Sequence, residues 1–151
     1  MQLTRAADYA VRVMIHLAGL PPGTRVSRTQ LAETAECPEQ FLSKVLQGLT
    51  RSGLVVSHRG NTGGFELPDK QRLATVLQVV ESIEGPIRLN SCLDDDQTCS
   101  RRSWCPGHAI WAEAQRAMVE ALGSASLQDL ARRAATVRSF EQVLVEEPKW
   151  N

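Results

Sequence analysis

The stretch Glu39-Gln40-Phe41-Leu42-Ser43-Lys44-Val45-Leu46-Gln47-Gly48-Leu49-Thr50-Arg51-Ser52-Gly53-Leu54-Val55-Val56-Ser57-His58-Arg59-Gly60-Asn61-Thr62-Gly63-Gly64-Phe65-Glu66-Leu67 decides the fold. It opens with helical periodicity. Phe41, Leu42, Val45, Leu46 and Leu49 recur at three- and four-residue steps and predict an inward face, while Gln40, Ser43, Lys44 and Gln47 fall outward. Cys37-Pro38 breaks the chain before it, and proline suits the first position of a helix that Gly53 ends. The pattern then changes. Leu54-Val55-Val56-Ser57 is β-prone, Arg59 to Gly64 is a turn cluster, and Phe65-Glu66-Leu67 is β-prone again, so a β-hairpin with a basic, glycine-rich tip is expected.

Working upstream, Ser27 is a good N-cap for a short helix through about Ala35, with Arg28 and Thr29 in its first turn, where backbone N–H groups can receive a phosphate. Two short helices with a tight turn between them, the second polar on its outer side, fit a helix-turn-helix. Followed at once by a hairpin, they make a winged helix. Farther upstream, Tyr9, Ala10, Val13, Met14, Leu17 and Ala18 mark one face of a helix over 4–20, capped by Thr4 and stopped by Pro21-Pro22-Gly23.

Working downstream, Pro68 and Asp69 open a helix expected over 70–84, with Leu73, Val76, Leu77, Val80 and Ile83 on one side. Pro106 starts a long helix over 106–122 whose stripe, Ile110, Ala114, Ala117, Met118 and Ala121, reads as core or as a dimer seam. Ser126 caps a last short helix, Leu127 to Arg133. The tail beyond it is mixed, with Val143-Leu144-Val145 able to dock and Pro148 to Asn151 expected to be poorly ordered. The fold class is therefore mainly α, a winged helix-turn-helix with a long dimerisation helix and a small hairpin wing. Its segments are a DNA-binding module at 1–68, a cysteine loop with dimerisation helices at 69–133, and a C-terminal tail at 134–151.

Between the two downstream helices lie three of the four cysteines, Cys92, Cys99 and Cys105, within fourteen positions, followed by His108. The linkers are polar and include Asp94, Asp95 and Asp96. The first helix candidate lacks a cleavable-signal pattern, so the thiols are expected in a reducing compartment, where they read as metal ligands or redox thiols rather than structural disulfides. Thiolates with imidazole select zinc or an iron–sulfur centre. Cysteine gaps of six and five residues are wider than the C-x-x-C pairs of zinc fingers. Cys37 stands apart and reads as a small turn residue.

Composition permits this reading. The chain has 151 residues, 42% of them apolar and 5% aromatic, so an aliphatic core is expected. Formal net charge is zero. Residues 1–68 carry seven basic against five acidic side chains, a modest excess that permits DNA binding. No apolar run reaches the ~20 residues of a membrane span, and a soluble, cytoplasmic protein with no membrane partner is expected. Nucleotide-binding glycine motifs, paired carboxylates in a cleft and serine–histidine–aspartate sets are missing, so no catalytic residues and no enzyme are expected.

These residues carry a family resemblance. Leu3-Thr4, Asp8-Tyr9-Ala10-Val11-Arg12, Leu49-Thr50-Arg51-Ser52-Gly53-Leu54-Val55, the wing Arg59-Gly60 with Gly63-Gly64-Phe65-Glu66-Leu67, and the three-cysteine loop together resemble the Rrf-two family of bacterial winged-helix regulators over about residues 1–133. The resemblance implies a homodimer paired through the long helix, with each cysteine loop beside the partner's DNA-binding module. It implies an iron–sulfur cluster on Cys92, Cys99 and Cys105 whose oxidation, nitrosylation or loss changes DNA affinity. Family members divide at the fourth ligand. In IscR-like members a histidine three residues after the third cysteine completes a 2Fe-2S site, which His108 matches and which is favoured here. In NsrR-like members an aspartate of the partner's first helix completes a 4Fe-4S site, which Asp8 matches. The first cysteine gap here is one residue longer than in IscR-like members. The plainer readings are a polar helix-start residue for His108 and an ion pair with Arg5 or Arg12 for Asp8.

On a near-palindromic double-stranded operator, Gln40, Ser43, Lys44 and Gln47 are placed to read bases and backbone in the major groove, with Phe41 against a thymine methyl. Arg28, Thr29 and Arg51 are placed on phosphate, Arg59 in the adjacent minor groove, and Gly63 lets the wing backbone approach. Two other readings compete: a zinc- or thiol-based regulator on the same fold, and a small iron–sulfur electron carrier.

Overall fold

The structure, a computed structural model, describes residues 3–60, 62–94 and 99–145, with side-chain burial through residue 137. Asn61 at the wing tip, Asp95 and Asp96 of the cysteine loop, the Val143–Val145 side chains and the Pro148–Asn151 tail fall outside that description.

Helix α1 (Arg5–Gly19) begins where Thr4 accepts from the backbone of Ala7, and buries Ala7, Ala10, Val13, Met14, Leu17 and Ala18. Thr4 also donates its hydroxyl to Glu84, tying the start of α1 to the end of α4 (Val76–Glu84). Helix α2 (Arg28–Ala35) opens with a reciprocal capping box between Ser27 and Gln30. It closes on Glu36, the one non-glycine among the described residues in the left-handed region, at φ 53°. Helix α3 (Glu39–Arg51) follows, with Pro38 as its N-cap rather than its first helical residue.

The wing is an antiparallel pair, β1 (Val56–His58) with β2 (Gly64–Glu66), in register Val56↔Glu66, Ser57↔Phe65 and His58↔Gly64. It is not a free hairpin. Phe65 and Val26 exchange backbone hydrogen bonds of 2.8 and 3.0 Å, so β2 is also bridged to the strand-like entry into α2. That bridge explains Gly64, where a Cβ would stand 2.8 Å from the Val26 carbonyl oxygen.

Three expectations are corrected. The helix expected over 70–84 is broken. A 3-10 turn runs Asp69–Leu73, Ala74 and Thr75 are extended, and α4 starts afresh on a Thr75–Gln78 capping box. Leu73, expected to face inward, is 68% exposed on that turn, and Val79 takes the core position instead. The sequence carries the cause, since Thr75-x-x-Gln78 is itself a helix-start signature. Second, Phe41 is not core. It lies 39% exposed at the edge of the α3 stripe, edge-on to Tyr9 with ring centroids 5.7 Å apart. Third, the last helix does not stop at Arg133: α6 runs Leu127–Val145.

The main core joins α1, α2, α3, Val79 of α4, and Leu127 and Ala131 of α6. Helix α6 therefore returns to the N-terminal module, where Ala131 lies beside Gly19 of α1 and the Leu127 N–H donates to the Ala74 carbonyl at 2.8 Å. Arg72 locks the same corner. Its side chain is only 12% exposed, and it donates to the carbonyls of Ala18 and Leu20 at 2.7 and 2.8 Å and to Asp69. These bonds take up carbonyls at the end of α1 that have no partner inside the helix. Helix α5 (Pro106–Gly123) packs more lightly. Met118, Val119 and Leu122 rest against a small cluster of Ala7, Val80 and Ile87, and α5 buries no residue completely. Among the described residues, no helix is long and apolar enough to cross a membrane.

Candidate functional site

Two sites emerge, one on α3 and the wing, the other at the start of α5. On the first, Gln40, Lys44 and Gln47 are exposed along the outer face of α3, opposite the buried row Leu42, Val45, Leu46 and Leu49. Ser43 is half-buried, and its hydroxyl donates to the Glu39 carbonyl one turn back at 3.1 Å. Arg28 and Thr29 stand at the start of α2. The Arg28 Nε donates to the Glu39 carboxylate at 2.7 Å, and the Thr29 hydroxyl reaches the same oxygen at 3.4 Å. This pair spans the turn of the helix-turn-helix. Both partners are about half exposed, 53% and 41%, so it is a surface ion pair of ~0–1 kcal/mol and leaves the guanidinium available.

A cleft between α3 and the wing gathers Arg28, Ser43, Gln47 and Arg51 with Leu46, Thr50, Ser57 and Phe65. Thr50, Ser57 and Phe65 were not among the sequence candidates. A hydroxyl on the flank of a recognition helix and a serine in a strand carry no signal until the wing folds against α3. The Thr50 Oγ1 is buried with no hydrogen-bond partner.

The wing tip is built by sterics. A Cβ on Gly63 would lie 2.5 Å from the His58 carbonyl oxygen and 2.8 Å from that of Gly60, so Gly63 is required by the turn itself. Arg59 is exposed, and no described side chain pairs with it. At the wing base Glu66 faces His58 and Arg25. The His58 Nε2 stands 2.8 Å away without hydrogen-bond alignment, and the Arg25 Nε stands at 3.6 Å.

The second site is looser. Cys92 sits in a 3-10 turn over Ser91–Leu93, Cys99 immediately precedes a turn over 100–104, and Cys105 is the N-cap of α5. All are half-buried, and all are free thiols. Cys99 and His108 line one cavity with Ser100, Arg102 and Ser103. The Nδ1 of His108 is buried without a hydrogen-bond partner, while its backbone N–H donates to the Cys105 carbonyl at 3.1 Å. Gly107 lies between the Cys105 sulfur and the Trp111 indole nitrogen; a Cβ there would be 3.7 and 3.8 Å from them. The loop is tethered by Arg102, which donates to the Asp94 carbonyl, by Arg88 beside the Asp94 carboxylate, and by the Leu89 N–H, which donates to Gln115. Among the described residues, no three histidine, cysteine, aspartate or glutamate side chains converge on a point that would hold a metal ion. In chemistry the set does fit a thiophilic centre: three free thiols and an imidazole nitrogen lacking a partner.

Asp8 is elsewhere. It lies in the first turn of α1 and pairs with Arg12 at 2.9 Å, both side chains about half exposed. Cys37 belongs to neither site. It is buried in the main core, and burial pushes its thiol pKa up, against a smaller opposing pull from the Leu42 N–H.

Comparison with known proteins bears on both sites. Protein aau3 of Rhizobium meliloti is 33% identical over 134 residues, spanning 87% of this chain and 86% of that protein. The structure of CymR, the global cysteine regulator of B. subtilis, superposes with a TM-score of 0.70 at 28% identity, covering 88% of this chain and 98% of that one. T. potens IscR superposes with a TM-score of 0.68 at 25% identity, covering 89% and 88% of the two chains. Such regulators are DNA-binding proteins rather than enzymes. Residues 3–133 match the family described as Rrf2, iron-dependent transcriptional regulator, and with its winged helix in place the chain belongs to that family.

Proposed function

We propose that the chain works in the cytoplasm as a homodimer that binds near-palindromic operators, and that a group held by Cys92, Cys99, Cys105 and His108 sets its operator affinity. The observation that carries this reading lies at the start of α5: the buried His108 Nδ1 has no hydrogen-bond partner, and His108 shares a cavity with the free thiol of Cys99 and follows Cys105, the helix N-cap. An unsatisfied buried polar atom is costly, about 1–3 kcal/mol, and ligation would remove that cost. When bound, a 2Fe-2S cluster would supply a redox- and nitric-oxide-sensitive centre.

What the chain's own residues do is hold and transmit. Cys105 caps α5, so drawing its sulfur towards Cys92 and Cys99 would pull on the first turn of that helix. Helix α5 rests on Val80 and Ile87, and Ala7 of α1 joins the same cluster, which links the loop to the helix-turn-helix. A coupling of ~1–3 kcal/mol, or ~5–150-fold in operator affinity, is the ordinary size of such linkage. The outward face of α5, Ile110, Ala114, Ala117 and Ala121, is exposed and serves as the dimer seam. Asp8 is the alternative fourth ligand, contributed to the partner's loop. Its exposed i,i+4 pair with Arg12 would release it at a cost of only ~0.3–0.5 kcal/mol.

A second reading is a thiol- or zinc-based regulator on the same fold. Two observations favour it: no three donors converge among the described residues, and CymR is a named cysteine regulator of similar structure. Anaerobic purification followed by an absorption spectrum and iron, sulfide and zinc assays separates the readings. About two irons and two sulfides per chain are expected for the His108 site, and about four of each for an Asp8 site. Zinc without sulfide would replace the cluster reading with the second one.

A further inference from the structure

The sugar–phosphate backbone is the wall between the major and minor grooves of a duplex. A protein that sets a helix in one groove and a hairpin in the next must let that wall pass between them. Here the space between α3 and the wing is the cleft whose polar lining is Arg28, Ser43, Gln47, Thr50, Arg51 and Ser57. Two guanidiniums, three hydroxyls and an amide line it, and no carboxylate does. That chemistry selects a phosphate monoanion.

We propose that this cleft seats one operator phosphate in each half-site, gripped by Arg28 and Arg51 from the helices and by Ser57 from the wing. The proposal rests on the DNA-binding reading and adds a division of labour to it. Arg28 is pre-set for the task. Its Nε is committed to Glu39, and among the described residues its terminal nitrogens have no partner, which leaves them as donors. Ser43 has given its proton to the Glu39 carbonyl, so it packs the seat rather than donating into it. Thr50 lies along the same wall with an unpaired hydroxyl. Because Ser43 and Gln47 line the seat, they hold the backbone. Base reading then falls to Gln40 and Lys44, which are exposed on α3 and lie outside the cleft. This separates two groups of residues that their spacing along one helix face had merged.

The test uses the full-length protein with two duplex probes of about three helical turns, one selected by the protein from a random library and one a scrambled control. Arg51→Gln and Ser57→Glu act on different elements, and thermal melts confirm that each variant is folded. Arg51→Gln should weaken both duplexes by the same factor and reduce the slope of log affinity against log salt by about 1. Ser57→Glu, which places a carboxylate in the seat, should abolish binding to both. Gln47→Ala should also weaken the two duplexes equally, whereas Gln40→Ala and Lys44→Ala should change the ratio between them. Neutralising single phosphates as methylphosphonates should reveal one position per half-site that matters to the wild type and no longer matters to Arg51→Gln.

Unchanged affinity in Arg51→Gln and Ser57→Glu would overturn the seat, as would a Gln47→Ala effect confined to the selected duplex. Stabilisation by inorganic phosphate at constant ionic strength, lost in Arg51→Gln but without any methylphosphonate effect, would overturn it in favour of a free anion. A wild type with no salt-dependent affinity for either duplex would instead sink the DNA-binding reading beneath it.

Discussion

Helix α3 has 13 residues and buries Leu42, Val45, Leu46 and Leu49 to 2% exposure or less; α5 has 18 residues and buries none. The difference lies in what each helix was given to pack against. The buried row of α3 joins the main core with residues of α1, α2, α4 and α6 of its own chain. Among the described residues, helix α5 sets Met118, Val119 and Leu122 against a small apolar cluster of its own chain and leaves Ile110 66% and Trp111 46% exposed. The DNA-binding half is complete within one chain. The half that carries the thiols leaves apolar surface and free thiols exposed or half-buried, as the proposed partner helix and bound group would require. A helix with one satisfied and one unsatisfied apolar face is a joint, and it sits where a signal at the loop would have to pass.

The contrast is broken most forcefully in the core. Leu46→Ala, at a side chain 1% exposed, should destabilise the protein by ~2–5 kcal/mol in denaturant unfolding, through lost transfer energy and a cavity. A loss below ~1 kcal/mol would mean that the site collapses freely and that α3 is less tightly held than its burial implies. Arg72→Ala should cost somewhat less, ~1.5–3 kcal/mol. It removes the donors to Ala18 and Leu20 at a position only 12% exposed. If water replaces those donors without loss of Tm, the corner joining α1 and α6 is not locked by Arg72.

A weaker effect separates α6 from the core it joins. Ser126 accepts from the Asp129 N–H at 3.1 Å and donates back to the Asp129 carboxylate, and that bond is the main reason the carboxyl lies below its ordinary pKa. A folded-state pKa below the unfolded one contributes stability that is present above the unfolded value and lost as pH falls through the folded value. Ser126→Ala removes this bond and the backbone cap, and should lower Tm at neutral pH. The gap between variant and wild type should narrow as pH falls below the ordinary aspartate range. A gap that stays constant with pH would assign the cap to the hydroxyl alone and leave Asp129 out of it.

The same contrast explains what could be read in advance. The face of α3, the Ser27 cap and the glycines of the wing follow from local rules: periodicity, capping chemistry and backbone conformation. Those rules also fixed where Gln40, Lys44 and Arg59 would stand. They failed where tertiary contact decides. Leu73 fits a helical stripe, but Thr75 and Gln78 start a new helix two residues later and turn it out. Arg72 looks like any surface arginine until α1 ends beside it. Ser57 and Thr50 become neighbours only when β2 bridges to Val26 and brings the wing against α3. The cysteine spacing marked a candidate site, but the convergence of donors is not a property of spacing, and among the described residues no three of them converge.

The smallest expected effect on the fold is the most informative about that outside partner. Ala117 is on the exposed side of α5, with Ile110, Ala114 and Ala121 above and below it. Ala117→Glu changes little in an isolated chain: a good helix former replaces the best one, with no buried contact to lose, so stability measured at concentrations where the protein is monomeric should shift by less than ~0.5 kcal/mol. In a dimer paired through this face, the same change puts a carboxylate opposite its own copy in an apolar seam, and the protein should sediment as a monomer at concentrations where the wild type is a dimer. Operator affinity should fall with it, since two half-sites are then bound without the gain of linkage. If the variant stays dimeric, the seam lies elsewhere and the exposed face of α5 has another use. If the isolated chain unfolds, α5 is more deeply integrated than its exposure indicates, and the division between a self-sufficient half and a dependent half fails at its clearest point.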